Sequence, residues 1–579
     1  MKKSALSFAV VSTLSALAVA NVCAAADYRV EINGITGELK DNVEAHIGEL
    51  DEQNPAAAAR SLRRAVVEGL KALGYYTPDI DVKFKRTDNG SRELIADVQA
   101  GDQVKLLAPD LNITGEARQD PDFALLIGNI PQAGTPLNHG TYTAFKDEIL
   151  SLSLAKGYFE GRFTDKRLAV SPEAKAAVWH LHYDSGPRYR WGKITYKGSQ
   201  IDEAYLKGLE KITEGEEYDY AQYANLSKRL GDTGWFASIA AEPDFETGKL
   251  DPDKHLPVEV TVSPRKRNLV ETGLGYSSDI GPKAKIKWTR PWVNEKGHSF
   301  EVTTDVSAKE QVLDLSYRIP TQDDPLGDYW LVQGGYKYTD LNDTQSSQFA
   351  ASVSRNQELE SGWVRSASLN VLSDNFTQAE VDNNKLVIYP GISFTRTRAR
   401  GGLSPDWGDT QRYAVSVANG IWASESDFVR MEASQTWLRT FAAKHRFVVR
   451  ATLGWIETDD LNGVPPDLRF FAGGDNSVRG YDYKSISPKK DSGELTGGSK
   501  MATASIEYQY NVTGNWWAAA FVDAGDSVKK FDDFSLNKGA GVGVRWNSPI
   551  GPVKVDVAWP IASDLDRGMH FYFGLGGAL

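Results

Sequence analysis

The stretch Ala502-Thr503-Ala504-Ser505-Ile506-Glu507-Tyr508-Gln509-Tyr510 alternates without a break. Ala502, Ala504, Ile506, Tyr508 and Tyr510 share one face of an extended strand, and Thr503, Ser505, Glu507 and Gln509 share the other. Successive side chains of a strand point to opposite faces, so a period of two assigns one apolar and one polar surface. The pattern recurs where Phe447, Val449, Ala451, Leu453 and Trp455 oppose Arg446, Arg450, Thr452 and Gly454. It recurs again in Ala540, Val542, Val544 and Trp546 against Gly541, Gly543, Arg545 and Asn547, and in Val553, Val555, Val557 and Trp559 against Lys554, Asp556 and Ala558. Alternation alone also suits the half-buried strands of a soluble sandwich. A membrane barrel is favoured because the strands are many and long, because aromatic residues stand near their ends as interfacial girdles do, and because charges on the polar face suit a watery lumen.

Working outward from this stretch, sixteen segments follow Asn268, starting near 268, 282, 298, 310, 328, 345, 361, 384, 409, 427, 444, 500, 516, 537, 552 and 568. An even number returns both ends of a barrel to one side of the membrane. The connection from Thr458 to Lys500 exceeds forty residues, far beyond an ordinary hairpin loop, and loops of that length are usually functional or disordered. It carries Arg469-Phe470-Phe471-Ala472-Gly473-Gly474 and Val478-Arg479-Gly480-Tyr481, a mixture unlike a disordered tail.

Ahead of Pro264 the pattern changes to mixed helix and strand, and twelve of the fifteen tryptophans lie beyond it. A strand-then-glycine element occurs at Val30–Gly34, Leu111–Gly115 and Ile194–Gly198, offset by 81 and 83 residues. A Gly-aromatic element follows each, at Gly74-Tyr75-Tyr76, Gly157-Tyr158-Phe159 and Gly234-Trp235-Phe236, offset by 83 and 77. Two markers in step three times indicate an internal repeat. Helical spacing precedes the marker glycine, as in Leu62, Val66, Val67 and Leu70 or Phe145, Ile149, Leu152 and Leu154, with the glycine placed as a C-cap. Strands follow at Leu94–Val98 and Ala177–Tyr183. Each unit therefore reads strand, helix, helix, strand, strand, with Tyr75, Tyr158 and Trp235 expected in the cores. The expected organisation is a secretory signal over residues 1–26, repeats over 27–101, 102–186 and 187–264, and a transmembrane barrel over 265–579.

The signal reading rests on Lys2 and Lys3, the apolar run Ala5–Ala20, and Ala24, Ala25 and Ala26 as cleavage positions. The single cysteine, Cys23, falls inside it, so no disulfide or thiol chemistry is expected in the mature chain. Val22 stands where a lipoprotein signal needs a small residue. No later run reaches the roughly 18 apolar residues of a spanning helix. The net charge of −12 becomes −14 without Lys2 and Lys3, which argues against a nucleic-acid partner.

Enzymatic readings find little support. Of the eight histidines only His180 and His182 pair on one strand face, and two imidazoles without further ligands read as surface residues, not a metal site. No phosphate-binding loop or nucleophile elbow occurs, and Gly539–Gly543 lies in strand alternation with no helix after it. No enzyme, cofactor or metal is expected.

Three repeats before sixteen strands, the Val-Arg-Gly-Tyr loop, Val522-Asp523-Ala524-Gly525, Gly543-Val544-Arg545-Trp546 and Ser548-Pro549-Ile550-Gly551-Pro552 together resemble the BamA and TamA outer-membrane assembly superfamily. The likeness covers the whole mature chain and is strongest toward its translocation and assembly module branch. The resemblance implies α+β POTRA repeats in the periplasm, which can capture extended partners at a sheet edge, followed by an all-β transmembrane barrel of sixteen antiparallel strands in the outer membrane. It implies that the long loop folds into the lumen, where Arg479, Gly480 and Tyr481 dock, Arg479 pairing with Asp523 and Glu507 offering a second acceptor. A planar guanidinium grips carboxylates bidentately, and a confined lumen strengthens the pair. The pair either holds the loop in place or acts as a switch.

Gly273 and Gly275 in the first barrel strand, and Gly574, Gly576 and Gly577 in the last, weaken pairing and mark the closing seam as the weakest line. A lateral opening there would release client strands, either outer-membrane proteins or autotransporters, into the bilayer. The resemblance further implies a TamB-like inner-membrane-anchored periplasmic partner and contact with membrane lipids. A lipid conduit between membranes, a dedicated exporter and a plain porin are the alternatives, the last two disfavoured by the three leading repeats.

Overall fold

A computed structural model describes residues 28–51, 54–87, 92–277, 280–402, 404–549, 551–561 and 568–575. The signal expected over 1–26 lies outside them, as do Gly576 and Gly577. The first two repeats group into one compact unit, and the third repeat groups with the barrel into another.

The first repeat comprises β1 (Tyr28–Asn33), α1 (Glu38–Ala45), α2 (Pro55–Ala72), β2 (Asp79–Arg86) and β3 (Arg92–Gln99), with sheet order β1-β3-β2. Asn54 starts α2 by accepting from the Ala56 and Ala57 N–H groups at 3.1 Å, which satisfies donors no helical carbonyl can reach. Leu62, Val66 and Leu70, four residues apart, point one way and bury against Leu94, Ala96 and Val98 of β3. The second repeat contains β4 (Lys105–Leu106), β5 (Asp110–Thr114), α3 (Pro121–Gly128), α4 (His139–Lys156), β6 (Arg162–Ser171) and β7 (Ala176–Asp184), with β7 central. The third contains β8 (Arg190–Lys197), α5 (Glu203–Lys207), α6 (Tyr220–Asp232), β9 (Phe236–Pro243), α7 (Phe245–Leu250) and β10 (His255–Pro264), in order β8-β10-β9.

The strand, helix, helix, strand, strand expectation thus acquires an extra short strand in the second repeat and an extra helix, α7, in the third. Two side chains also depart from it. Leu154 is exposed, because five residues past the buried Ile149 carry the chain well beyond one 3.6-residue turn. Tyr75 is only half-buried against the first core, while Tyr76 packs on the core of the second repeat and its hydroxyl meets His139 Nε2 at 2.6 Å. Tyr158 and Trp235 are buried. Trp235 does more than fill a core, because its Nε1–H donates to the Gly297 carbonyl of a barrel turn at 3.0 Å. Beside it Arg229 pairs with Asp324 of the next turn at 2.6 Å, so the third repeat is seated on the barrel's near end.

Sixteen antiparallel strands follow: β11 (Leu269–Ser277), β12 (Gly281–Arg290), β13 (Ser299–Ser307), β14 (Glu310–Pro320), β15 (Asp328–Leu341), β16 (Thr344–Glu358), β17 (Val364–Gln378) and β18 (Val381–Arg400). The second eight are β19 (Trp407–Ala418), β20 (Phe428–Phe441), β21 (His445–Glu457), β22 (Lys500–Thr513), β23 (Trp516–Val528), β24 (Asn537–Ser548), β25 (Gly551–Pro560) and β26 (His570–Leu575). Each pairs with its sequence neighbour from β11 through β26. The number matches the sixteen alternating segments, with starts displaced by a few residues at most. The outward face is apolar: Phe349, Ile506, Leu453 and Val542 are all more than half exposed. A surface of that kind in water would form a patch far larger than soluble proteins carry, which assigns it to hydrocarbon. Trp516 and Trp546 stack at 5.5 Å at the repeat end of the barrel, and Trp455 meets Phe531 at 5.3 Å at the other, one pair in each aromatic girdle.

Replacing Trp235 by alanine removes core volume and the barrel bond together and is expected to cost ~3–5 kcal/mol. Limited proteolysis of the full chain across a urea series should register this as earlier cleavage of the third repeat, with Tyr75→Ala giving a visibly smaller shift.

Candidate functional site: a loop locked in the barrel lumen

The 458–499 connection folds on itself before it docks. The Phe470 N–H donates to the Gly498 carbonyl at 3.0 Å, and Ala472 and Ile486 exchange both backbone bonds at 2.9 Å. Arg469, buried, donates to the carbonyls of Val464 at 2.7 Å, Thr496 at 2.7 Å and Asn462 at 2.8 Å. One guanidinium therefore staples three turns of backbone that water cannot reach.

Its tip carries Arg479, 1 % exposed, into the lumen wall. Arg479 Nε donates to Asp523 Oδ2 at 2.7 Å and Nη2 to Asp523 Oδ1 at 2.9 Å, the two parallel bonds that a planar fork makes with a carboxylate. Nη1 reaches Glu507 Oε2 at 2.8 Å and Asp556 Oδ2 at 3.2 Å, and Nη2 also reaches Ser505 Oγ at 3.2 Å. The Arg479 backbone N–H adds a bond to Asp523 at 3.0 Å. The guanidinium lies over the Phe521 ring, 3.3 Å from its centroid. A second arginine completes the cluster: Arg545 donates to Glu507 Oε1 at 2.8 Å and to Asp556 Oδ2 at 3.0 Å.

The sequence places Asp523 on one face with Trp517 and Phe521, and both aromatics indeed face the lumen, each covered by a guanidinium: Arg479 over Phe521 and Arg446 over Trp517. Aromatic faces attract cations, so rings on a polar face are compatible with it. Gly480, at φ 98°, lies so close to the wall that a Cβ would stand 2.8 Å from the Trp559 carbonyl carbon. Its N–H donates to Tyr572 Oη at 3.0 Å, and that hydroxyl donates to the Tyr481 carbonyl at 2.8 Å. Tyr481 Oη reaches the Lys538 carbonyl at 3.3 Å.

Arg479, Gly480, Tyr481, Asp523 and Glu507 therefore converge. Sequence reasoning missed Arg545, Asp556, Phe521 and Tyr572. Arg545 and Asp556 stand on the polar faces of alternating strands, which was a usable signal, but nothing in the pattern says which polar residues meet.

The seam residues lie elsewhere. Gly273 and Gly275 sit in β11 and Gly574 in β26, at the two ends of the sheet. The Cα atoms of these strands approach within 8 Å, yet among the described residues no backbone ladder joins them, so the barrel is nearly closed.

Metal and cofactor readings gain little. His180 Nδ1 and His182 Nε2 each meet one oxygen of Asp110, at 2.9 and 3.0 Å, and these bonds, His182 foremost, hold that exposed carboxyl below its ordinary range. Asp251, Asp253 and His255 converge in a loop of the third repeat, where Asp251 already accepts from the Asp253 N–H at 2.8 Å.

Three family models match. Residues 267–578 match the Omp85 superfamily domain, residues 29–100 the POTRA domain described as TamA domain 1, and residues 189–265 a POTRA model described as surface antigen variable number repeat. The outer membrane protein assembly factor BamA of Nitratidesulfovibrio vulgaris is 24 % identical over 410 residues, covering 66 % of this chain and 50 % of its own. BamA of Neorickettsia risticii is 23 % identical over 423 residues, covering 67 % and 55 %. The chain thus spans about half the length of the curated relatives it matches. The crystal structure of Haemophilus ducreyi BamA lacking POTRA domains 1–3 aligns with a TM-score of 0.63 at 16 % identity, over 81 % of this chain and 99 % of that one. A match over more than half the sequence, on the fold just described, decides the matter: the chain belongs to the Omp85 superfamily, as a non-enzymatic outer-membrane barrel with its POTRA domains on the periplasmic side.

Proposed function

We propose that this protein is the outer-membrane subunit of a translocation and assembly module, of the TamA type, that helps outer-membrane proteins such as autotransporters insert or pass. The observation that carries this reading is the seam: β26 joins β25 through six residue pairs and joins β11 by no ladder among the described residues. A sheet edge in a membrane needs a partner for its backbone groups, and a client strand supplies one by edge addition. The TamA assignment within the superfamily rests on the first-domain match and on the three repeats. With it comes a TamB-like, inner-membrane-anchored periplasmic partner. The proposed role of Gly273, Gly275 and Gly574, with Gly576 and Gly577 beyond the described residues, is to keep the seam weak. That of Arg479, Gly480, Tyr481, Asp523 and Glu507 is to hold the long loop in the lumen.

The seam is tested in intact cells with a photoreactive residue at position 273 or 571, the exposed neighbour of Tyr572 on β26. Crosslinks to nascent outer-membrane proteins are expected at both positions. Capture of lipid and a large periplasmic protein, with no client, would replace this reading with an inter-membrane lipid conduit. Locking β11 to β26 with an engineered disulfide should abolish client insertion, and unimpaired insertion by the locked protein would refute lateral opening.

The lock is tested separately. Asp523→Asn takes the charge from the one carboxylate that Arg479 grips with both prongs, leaving Glu507 and Asp556 as its ionic partners, and losing a hydrogen bond to a charged group costs ~1.5–3 kcal/mol. The expected outcome is trypsin cleavage within 458–499 in the variant and protection of that loop in the parent protein, with the barrel itself intact.

A further inference from the structure

Below the lock, on the POTRA side of the lumen, lies a cavity of about 300 Å³ whose wall includes Arg446, Arg450, Gln509, Asn476, Asn547 and Lys554. That is the lower end of the roughly 300–1,000 Å³ that small-molecule sites span. Its charges do not balance locally. Arg479 and Arg545 are matched by Glu507, Asp523 and Asp556, and Lys554 pairs with Asp475 at 2.6 Å. The network around Arg479 holds one carboxylate more than it holds guanidiniums. Arg450, which donates to Ser505 Oγ at 3.3 Å, stands close enough to offset that surplus. Arg446 has nothing comparable.

Arg446 is 8 % exposed, and among the described residues its hydrogen bonds go only to neutral oxygens, Thr440 Oγ1 at 3.3 Å and Gln509 Oε1 at 3.4 Å. Both are long for a charged donor, which usually reaches about 2.7–2.9 Å. Its other neighbour is the Trp517 ring, 4.2 Å from the guanidinium carbon to the centroid. The Trp517 indole N–H is itself buried without an acceptor among the described residues. Among the described residues neither Arg446 nor Arg450 has a carboxylate within ion-pair distance, and Asp406, near the same rim, does not close on Arg446. A buried guanidinium without a counter-charge is costly unless an anion visits it.

We propose that this cavity binds a phosphate-class anion, the head of a phosphomonoester or phosphodiester, with Arg446 as its principal ligand and Arg450 as its second. The side-chain amides of Asn476 and Asn547 supply neutral donors at the same wall. Guanidinium forks match phosphate oxygens geometrically as well as in charge, which selects phosphate over a compact halide. The same chemistry is presented by free phosphate and by an anionic phospholipid head, and the cavity lies on the side from which either would enter. This inference goes beyond the assembly reading and does not depend on the seam. It stands or falls on the lumen wall alone.

The test uses the full chain, purified in the non-ionic, phosphate-free detergent dodecyl maltoside, and measures binding calorimetrically with two probes: inorganic phosphate and the short-chain lipid dihexanoylphosphatidylglycerol. Saturable binding of at least one probe is expected, weakened about tenfold or more by Arg446→Gln and less by Arg446→Lys, which keeps the charge. Arg355→Gln, at an exposed rim pair with Asp328, should leave it unchanged. Tighter binding of the lipid identifies a headgroup site, and equal or tighter binding of inorganic phosphate identifies a free-anion site. Heat-modifiable mobility on gels verifies that each variant is folded. Absence of saturable binding by both probes, or equal affinity in the folded Arg446→Gln protein, overturns the proposal.

Discussion

Inside a bilayer no water is at hand to bond a strand's N–H and C=O groups, so a sheet that crosses must pair nearly every one of them. The rest of this molecule is arranged around that constraint. Where it is met generously, as in the fifteen residue pairs between β16 and β17, the wall is continuous and the side chains are free to sort by polarity. Among the described residues β25 and β26 share six pairs, and there the buried Tyr572, packed with Ala558 and Phe521, adds to what the backbone supplies. Gly273 and Gly275 of β11 and Gly574 of β26 add no cross-strand side-chain pairs, so the β11–β26 line, which carries no ladder among the described residues, gains little packing from them.

The lumen imposes the opposite problem. Its wall there is polar and dehydrated, and each buried carboxylate needs a cation. Glu507, Asp523 and Asp556 lie on three different strands, β22, β23 and β25. Only a side chain with several donors in one plane can serve all three. Arg479 does so from outside the wall, which converts a desolvation cost into a reason for a forty-residue loop to fold inward. Lysine in its place would offer a point charge without the fork. The energy of such a cluster lies less in net stability than in position, because an ion pair taken out of water returns little beyond its own desolvation, while a misplaced one costs a great deal.

What could be read in the sequence follows from which features are local. Alternation with a period of two is local, so strand starts such as Glu310, Asp328, Lys500, Trp516 and Asn537 fall where the pattern puts them. The helix spacing of Leu62, Val66 and Leu70 is equally local. Leu154 was misplaced because one apolar residue past a helical stripe looks like its continuation until the angle is counted. Tyr75 is half-buried on the first core while Tyr76 turns to the second, because both follow the same glycine and only the next domain decides which one it covers. Arg545 and Asp556 were visible as polar-face residues, but their meeting with Glu507 and the loop is a tertiary fact set by the loop's path across the lumen. Tyr572 belongs to the same class, since its hydroxyl acts on a residue more than ninety positions away.

The bonds of the loop also bear on whether the lock must release for the seam to open. Arg479 is bound to β22, β23 and β25, and Gly480 and Tyr481 to Tyr572 of β26. Farther along, the loop is tied to the opposite wall: Lys337 of β15 pairs with Asp467 at 2.7 Å, Asn342 donates to the Tyr483 carbonyl at 2.9 Å, and Gln378 of β17 donates to the Leu495 carbonyl at 2.5 Å. The loop is thus a strut across the lumen, with the β11–β26 line outside its anchors. Parting β26 from β11 breaks none of these bonds, provided Tyr572 stays with the loop. A seam that opens by β11 swinging away leaves the strut whole, whereas one that opens by β26 swinging away must first lose the two hydrogen bonds of the Tyr572 hydroxyl. The asymmetry favours movement on the β11 side and a lock that holds the C-terminal strands together as the edge to which a client would add.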